Sequence, residues 1–110
     1  MYTLAPICLF VYNRPWHTAQ TIESLRNNIL ASESDLYIFS DGSRNDNASD
    51  AVNEVRSYIE TIKGFKSVNI ILRETNLGLA QNIISGVSDI VNIHGKIIVQ
   101  IGRASCRERV

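Results

Sequence analysis

The sequence predicts an α/β fold built on a parallel sheet in the order β-α-β-α-β-α-β, and three observations carry that prediction. Ile7 to Tyr12 is an unbroken apolar run, β-branched and aromatic in character, as expected of a central strand covered on both faces. Further runs of this kind alternate with stretches whose apolar residues recur every three or four positions, which is the pattern of strands joined by helical crossovers. The first three runs each stop at a polar loop. In a parallel sheet such loops gather at the carboxyl edge, where open α/β folds bind ligands.

The first strand ends at Asn13-Arg14-Pro15, and Pro15 has the fixed φ suited to a first helical position. Trp16, Ala19, Ile22 and Leu25 or Ile29 then mark the apolar face of a helix ending near Leu30. Leu36 to Phe39 forms a second buried strand, stopped by Ser40-Asp41-Gly42-Ser43. Arg44-Asn45-Asp46-Asn47 supplies several N-cap candidates. A second helix is expected from Ala51, with Val52, Val55, Tyr58, Ile59 and Ile62 inward and Gly64 as a left-handed stop. Val68 to Leu72 is the third strand, with Arg73 to Gly78 as its exit loop. The third helix runs from about Leu79 to Gly95, with Ala80, Ile83, Val87, Ile90 and Val91 as its buried stripe. Gly86 within it costs about 1 kcal/mol against alanine, which close helix-to-sheet contact would offset. Lys96-Ile97-Ile98-Val99 begins a fourth strand.

With 110 residues, 11 basic and 11 acidic, the chain is one domain at most, and its charge balance points to no nucleic acid or polybasic membrane surface. No apolar run reaches the length of a membrane span and no signal peptide opens the chain, so a cytoplasmic location is the default expectation. Cys8 and Cys106 make no disulfide framework, and Cys8 inside a strand reads as a buried inert thiol. Asn47-Ala48-Ser49 is a glycosylation sequon in pattern only.

Residues 101–110 have a different texture, with three arginines and no periodicity, and they resemble the translation of a constant sequencing adapter. They are expected to be a non-native tail, with residues 1–100 the amino-terminal part of something longer.

Chemistry is sought at the three strand exits: Asn13-Arg14, Asp41-Gly42-Ser43, and Asn76-Gly78 with Asn82. Arg14 can offset a diphosphate, Asp41 can accept from a base N–H or sugar hydroxyls, and Gly42 and Gly78 let backbone approach a ligand. Helix N-termini beside them offer unpaired N–H groups to a phosphate. Each residue also has a structural reading. Asp41-Gly42 is a common turn pair, the asparagines suit local caps, and Arg14 suits a solvated loop. Co-location at three successive strand ends favours a ligand crevice. His17 and His94 fit no metal-ligand spacing and are expected at the surface, and no metal ligand is assigned.

Three segments, Phe10-Val11-Tyr12-Asn13-Arg14-Pro15, Ser40-Asp41-Gly42-Ser43 and Asn76-Leu77-Gly78-Leu79-Ala80-Gln81-Asn82, resemble the amino-terminal half of family 2-type GT-A glycosyltransferases. The resemblance spans residues 5–99 and implies a Rossmann-like GT-A sheet, here incomplete. It implies a nucleoside-diphosphate-sugar donor, a UDP-sugar in the first instance, with a glycan or other acceptor, as in cell-envelope polysaccharide synthesis. Tyr12, Asn13 and Arg14 would then flank the uridine and diphosphate, and Asp41, with Gly42 and Ser43, would meet the base or ribose. Asn76, Gly78 and Asn82 would form the third wall. Many members of the family have arginine where this chain has Gln81. The family's fourth strand leads into an acidic triplet that holds Mg²⁺ or Mn²⁺ on the diphosphate, whereas Gln100-Ile101-Gly102 stands here. The expectation is a donor-binding half, inactive by itself, from a full-length parent that needs the metal and works in the cytoplasm or at a membrane surface. Two other classes stay in view. A sugar-phosphate nucleotidyltransferase would need a glycine-rich first loop, and a non-catalytic α/β nucleotide-binding or interaction domain would be complete without the metal triplet.

Overall fold

A computed structural model describes residues 6–27, 31–95 and 98–101. Within them the elements are β1 (Ile7–Val11), α1 (Pro15–Arg26), β2 (Asp35–Ser40), α2 (Asp46–Ile59), β3 (Ser67–Leu72), α3 (Leu79–His94) and β4 (Ile98–Ile101), with a short 3-10 turn at Ala31–Glu33. All strand pairings are parallel and the order is β3-β2-β1-β4, which is the predicted α/β architecture. β1 lies inside the sheet, with Phe10 opposite Phe39 on one side and Ile101 on the other. From β1 the chain steps outward to β2 and β3, then crosses back to β4 on the far side of β1. Such a reversal opens a crevice beyond the carboxyl ends of the two neighbouring strands.

Alternation along the strands sorts the core into two layers. Ile7, Leu9 and Val11 of β1 and Leu36 and Ile38 of β2 pack with Ile22 of α1 and Val55 and Ile59 of α2. Cys8, Phe10 and Phe39 face the other way, toward Ile83, Val87 and Ile90 of α3. Because β1 is buried at every position, its sequence has no polar alternation. Full burial of each of these side chains stabilises by about 1.5–3 kcal/mol relative to exposure.

The second layer is organised by a missing side chain. Phe10 and Phe39 stack with ring centroids 5.1 Å apart and planes 13° from parallel. A Cβ on Gly86 would stand 2.8 Å from Phe10 Cε2 and 3.2 Å from Phe39 Cδ1. Helix α3 therefore rests directly on the stacked rings, the contact that offsets the poor helix propensity of glycine.

Several sequence expectations are corrected in detail. Helix α2 starts at Asp46 rather than near Ala51, because the Asn45 side chain caps it by accepting from the Ala48 N–H at 3.0 Å. It ends at Ile59, so Gly64, although left-handed at φ 100°, belongs to the following loop and does not cap it. Gly95 does close α3 in the left-handed region. The buried face of α3 carries Asn82, Gly86 and Ile90, while Ala80 and Val91 are exposed, since the helix turns its narrowest residue toward the rings. Helix α1 stops at Arg26 and buries Thr18, Thr21 and Ile22, leaving Trp16 exposed; the expected extension to Leu30 lies outside the described residues. His17 and His94 are both half-buried instead of fully at the surface, and His94 Nε2 lies 2.9 Å from the Tyr37 hydroxyl. Pairing along β1 also takes Ile101 into β4, a residue expected in the appended tail; residues 102–110 lie outside the described residues.

Cys8 is fully buried, and burial pushes its thiol from 9.0 up to about 12. The thiol stays neutral in the folded chain, so alkylation at about pH 8 should spare Cys8 until denaturant is added, as peptide mass spectrometry would show. Below pH 9.0 both states hold the proton, while between 9.0 and about 12 only the unfolded chain loses it, so this group's contribution declines as pH rises. Labelling of native Cys8 at the denatured rate would refute the assignment.

Candidate functional site

The three strand exits meet at the carboxyl edge, and Asp41 ties two of them together. Its side chain is buried, yet four donors converge on the carboxylate. Oδ1 accepts from the N–H groups of Gly42 at 2.9 Å and Leu77 at 2.8 Å. Oδ2 accepts from the Gly78 N–H at 3.0 Å and the Asn76 side-chain amide at 3.4 Å. The Asn76 amide also donates to the Gly42 carbonyl at 2.8 Å. A carboxylate can accept about four hydrogen bonds, so the loop after β3 is cinched onto the exit of β2 by one acidic group.

Two glycines make that approach possible. A Cβ on Gly42 would lie 2.7 Å from the Thr75 carbonyl carbon, so the two loop backbones touch. Gly78 has φ 84° and ψ 154°, a region glycine enters freely and other residues occupy at a cost of about 1–3 kcal/mol. That conformation aims its N–H at Asp41 while its carbonyl accepts from Asn82 N–H at 2.9 Å to start α3.

The first exit loop joins through Tyr12, whose hydroxyl accepts from the Arg44 N–H at 2.9 Å. Asn13 is half-buried, and Arg14 and Ser43 are exposed; none of the three makes a side-chain hydrogen bond among the described residues. Asn82 is buried beneath the rim. Its Oδ1 accepts from Arg73 Nε at 3.1 Å and its amide donates to the Phe39 carbonyl at 3.5 Å. The structure thus brings Asp41, Gly42, Asn76 and Gly78 into direct contact, links Tyr12 to the loop beside Ser43 and buries Asn82, while Asn13 and Arg14 stay outside this network.

Two arginines escape a motif search. Arg73 lies over the Phe39 ring, with Cζ 5.2 Å from its centroid, and its buried Nη2 has no hydrogen-bond partner among the described residues. Arg56 reaches from α2 to the ends of β2 and β3, donating to Ser40 Oγ and to the carbonyls of Ser40, Asp41 and Arg73. A cation at the inward spacing Val52, Arg56, Ile59 was the signal available in sequence, since such a position needs acceptors. Among the described residues the ion pair is Glu23–Arg26, away from the rim. Arg14, Arg44, Arg56 and Arg73 make no ion pair among the described residues.

No group of three His, Cys, Asp or Glu side chains is gathered among the described residues, so these residues do not by themselves fit a divalent-metal site. No helix among them is long and apolar enough to cross a membrane.

In comparisons with known proteins, residues 7–91 match the family described as Glycosyl transferase family 2. The matched span runs from the first residue of β1 into α3 and takes in all three rim loops. No curated protein and no solved structure matches the chain. With more than half of its length covered, and with the parallel sheet and loop placement described above, the chain belongs to glycosyl transferase family 2.

Proposed function

We propose that this chain holds the nucleoside-diphosphate part of a sugar donor, with UDP-sugar as the preferred class, for transfer to a glycan or other acceptor in the longer parent. The observation that carries it is the Asp41 carboxylate, which joins the second and third strand exits into one rim at the edge where the strand order reverses between β1 and β4. Tyr12, Asn13 and Arg14 line the open side, where a base can stack and a diphosphate can meet the Arg14 guanidinium. Asp41 accepts a base or ribose donor in exchange for its longest bond, the 3.4 Å contact from Asn76, whose amide keeps the Gly42 carbonyl. Gly42 and Ser43 present backbone and hydroxyl to the ribose, while Asn76, Gly78 and Asn82 hold the third wall. The proposal assigns donor binding to the described residues. It assigns the transfer step, and the Mg²⁺ or Mn²⁺ that the resemblance implies, to the parent and not to this chain alone.

Titration with UDP and with uridine, followed by amide chemical shifts, tests this. UDP should move the resonances of residues 12–14, 41–43 and 76–78, and Arg14→Ala should weaken UDP about tenfold while changing uridine little, because one charge-assisted contact is lost. Unmoved rim resonances at millimolar UDP would sink the proposal.

A further inference from the structure

We propose that Arg56 is the positioning residue of this crevice: from behind, it fixes the Asp41–Gly42 backbone and, through Asp41, the amides of Leu77 and Gly78. The geometry stands on its own, and the consequence for nucleotide rests on the donor-binding function proposed above. Arg56 Nε donates to Ser40 Oγ at 2.9 Å. Its Nη2 is shared among three carbonyls, those of Ser40 at 3.2 Å, Asp41 at 3.1 Å and Arg73 at 2.8 Å. Ser40 and Leu72 form the last register pair of β2 and β3, so the Asp41 and Arg73 carbonyls lie where the ladder has run out of rungs. Backbone acceptors in such a place need a donor from elsewhere.

Arginine suits this task and lysine does not. A planar fork presents Nε and Nη2 side by side, matching a hydroxyl and a row of carbonyls, whereas an ammonium is a point donor on a flexible stem. Residue 41 is thereby gripped at both ends, with its carbonyl held by Arg56 and its carboxylate by the four donors of the rim. The remaining rim cations are otherwise placed. Arg14 and Arg44 are exposed, and Arg73 is engaged with Asn82 and the Phe39 ring. Arg56 lies behind the backbone and acts through residue 41, so its role is positional.

The test compares the unsubstituted chain with Arg56→Lys, which keeps the charge and loses the fork, and with Ser40→Ala, which removes only the Nε acceptor. Two readouts are taken: the dissociation constant for UDP, and hydrogen exchange at the Leu77 and Gly78 amides against the β1 amides of Cys8 to Phe10. For Arg56→Lys, the UDP constant should rise about tenfold and loop exchange should quicken about tenfold, with β1 changed less than about threefold. Ser40→Ala should show the same pattern at smaller amplitude. Equal acceleration in β1 and the loop would overturn the proposal, since Arg56 would then act on global stability alone. Faster loop exchange with UDP affinity intact would overturn it as well. Should the unsubstituted chain fail to bind UDP, donor binding falls, and the contrast between loop and β1 exchange still decides whether Arg56 positions the rim.

Discussion

Asp41→Asn is expected to destabilise the protein by about 3 kcal/mol, nearly as much as Asp41→Ala, despite its matching shape. The carboxylate is acceptor-only, and all four groups facing it are donors, two on each oxygen. An asparagine amide offers one oxygen and one NH₂. Whichever way it is turned, two donors meet another donor, and at least one backbone N–H near residues 42, 77 or 78 is left unsatisfied. Burying an unpaired donor costs about 1–3 kcal/mol, and weakening the remaining contacts adds to that. Urea unfolding of the two variants measures the loss directly. A cost below about 1 kcal/mol for Asp41→Asn would show that the rim is not held by charge. Where UDP binding is followed in parallel, the same variant should lose it, because the loop bearing Asn76 and Gly78 is no longer pinned.

Gly86→Val should cost about 3 kcal/mol by a different mechanism, overpacking. The first carbon of any side chain there falls 2.8 Å from Phe10 Cε2 and 3.1 Å from Phe10 Cζ, well inside contact distance. Phe10 cannot turn aside freely, being buried and stacked on Phe39, which in turn carries the Arg73 guanidinium. Relief therefore requires α3 to lift from the sheet, and α3 begins at the Gly78 held by Asp41. The higher helix propensity of the new residue, less than about 1 kcal/mol, cannot compensate. A thermal or urea midpoint equal to that of the unsubstituted chain would mean that the ring stack yields more easily than its packing indicates.

Much of the fold was legible because it depends on pattern. The uninterrupted run in β1 announced a strand buried on both faces, and strand–helix alternation announced a parallel sheet. The cost of Gly86 was legible too, as a propensity deficit awaiting a contact. Ile83, Val87 and Ile90 were legible as part of the inward face of α3, but the burial of Asn82 and Gly86 beside them was not, because neither is a large apolar residue. Trp16 misled for the opposite reason: it is large and apolar at helical spacing, yet 66% exposed. At the rim, Asp41, Gly42, Asn76 and Gly78 could be named from their loops. Arg56 was signalled only as a cation at inward helical spacing; its partners were not legible, being backbone carbonyls brought to it by the ends of two strands.

The cinch at Asp41 also bears on the order in which the molecule is made. Its bonds to Leu77 and Gly78 span 36 and 37 residues, and they have no meaning until β2, α2 and β3 are already laid side by side. Ser40 pairs with Leu72 at the end of the β2–β3 ladder, so once that ladder is laid down only short segments remain to be closed at the rim. The rim is on this view a late acquisition of the folding chain: the sheet is assembled first, and the crevice is fastened afterwards by a single carboxylate. Damage confined to that carboxylate would then shorten the lifetime of the native state far more than it would delay its formation.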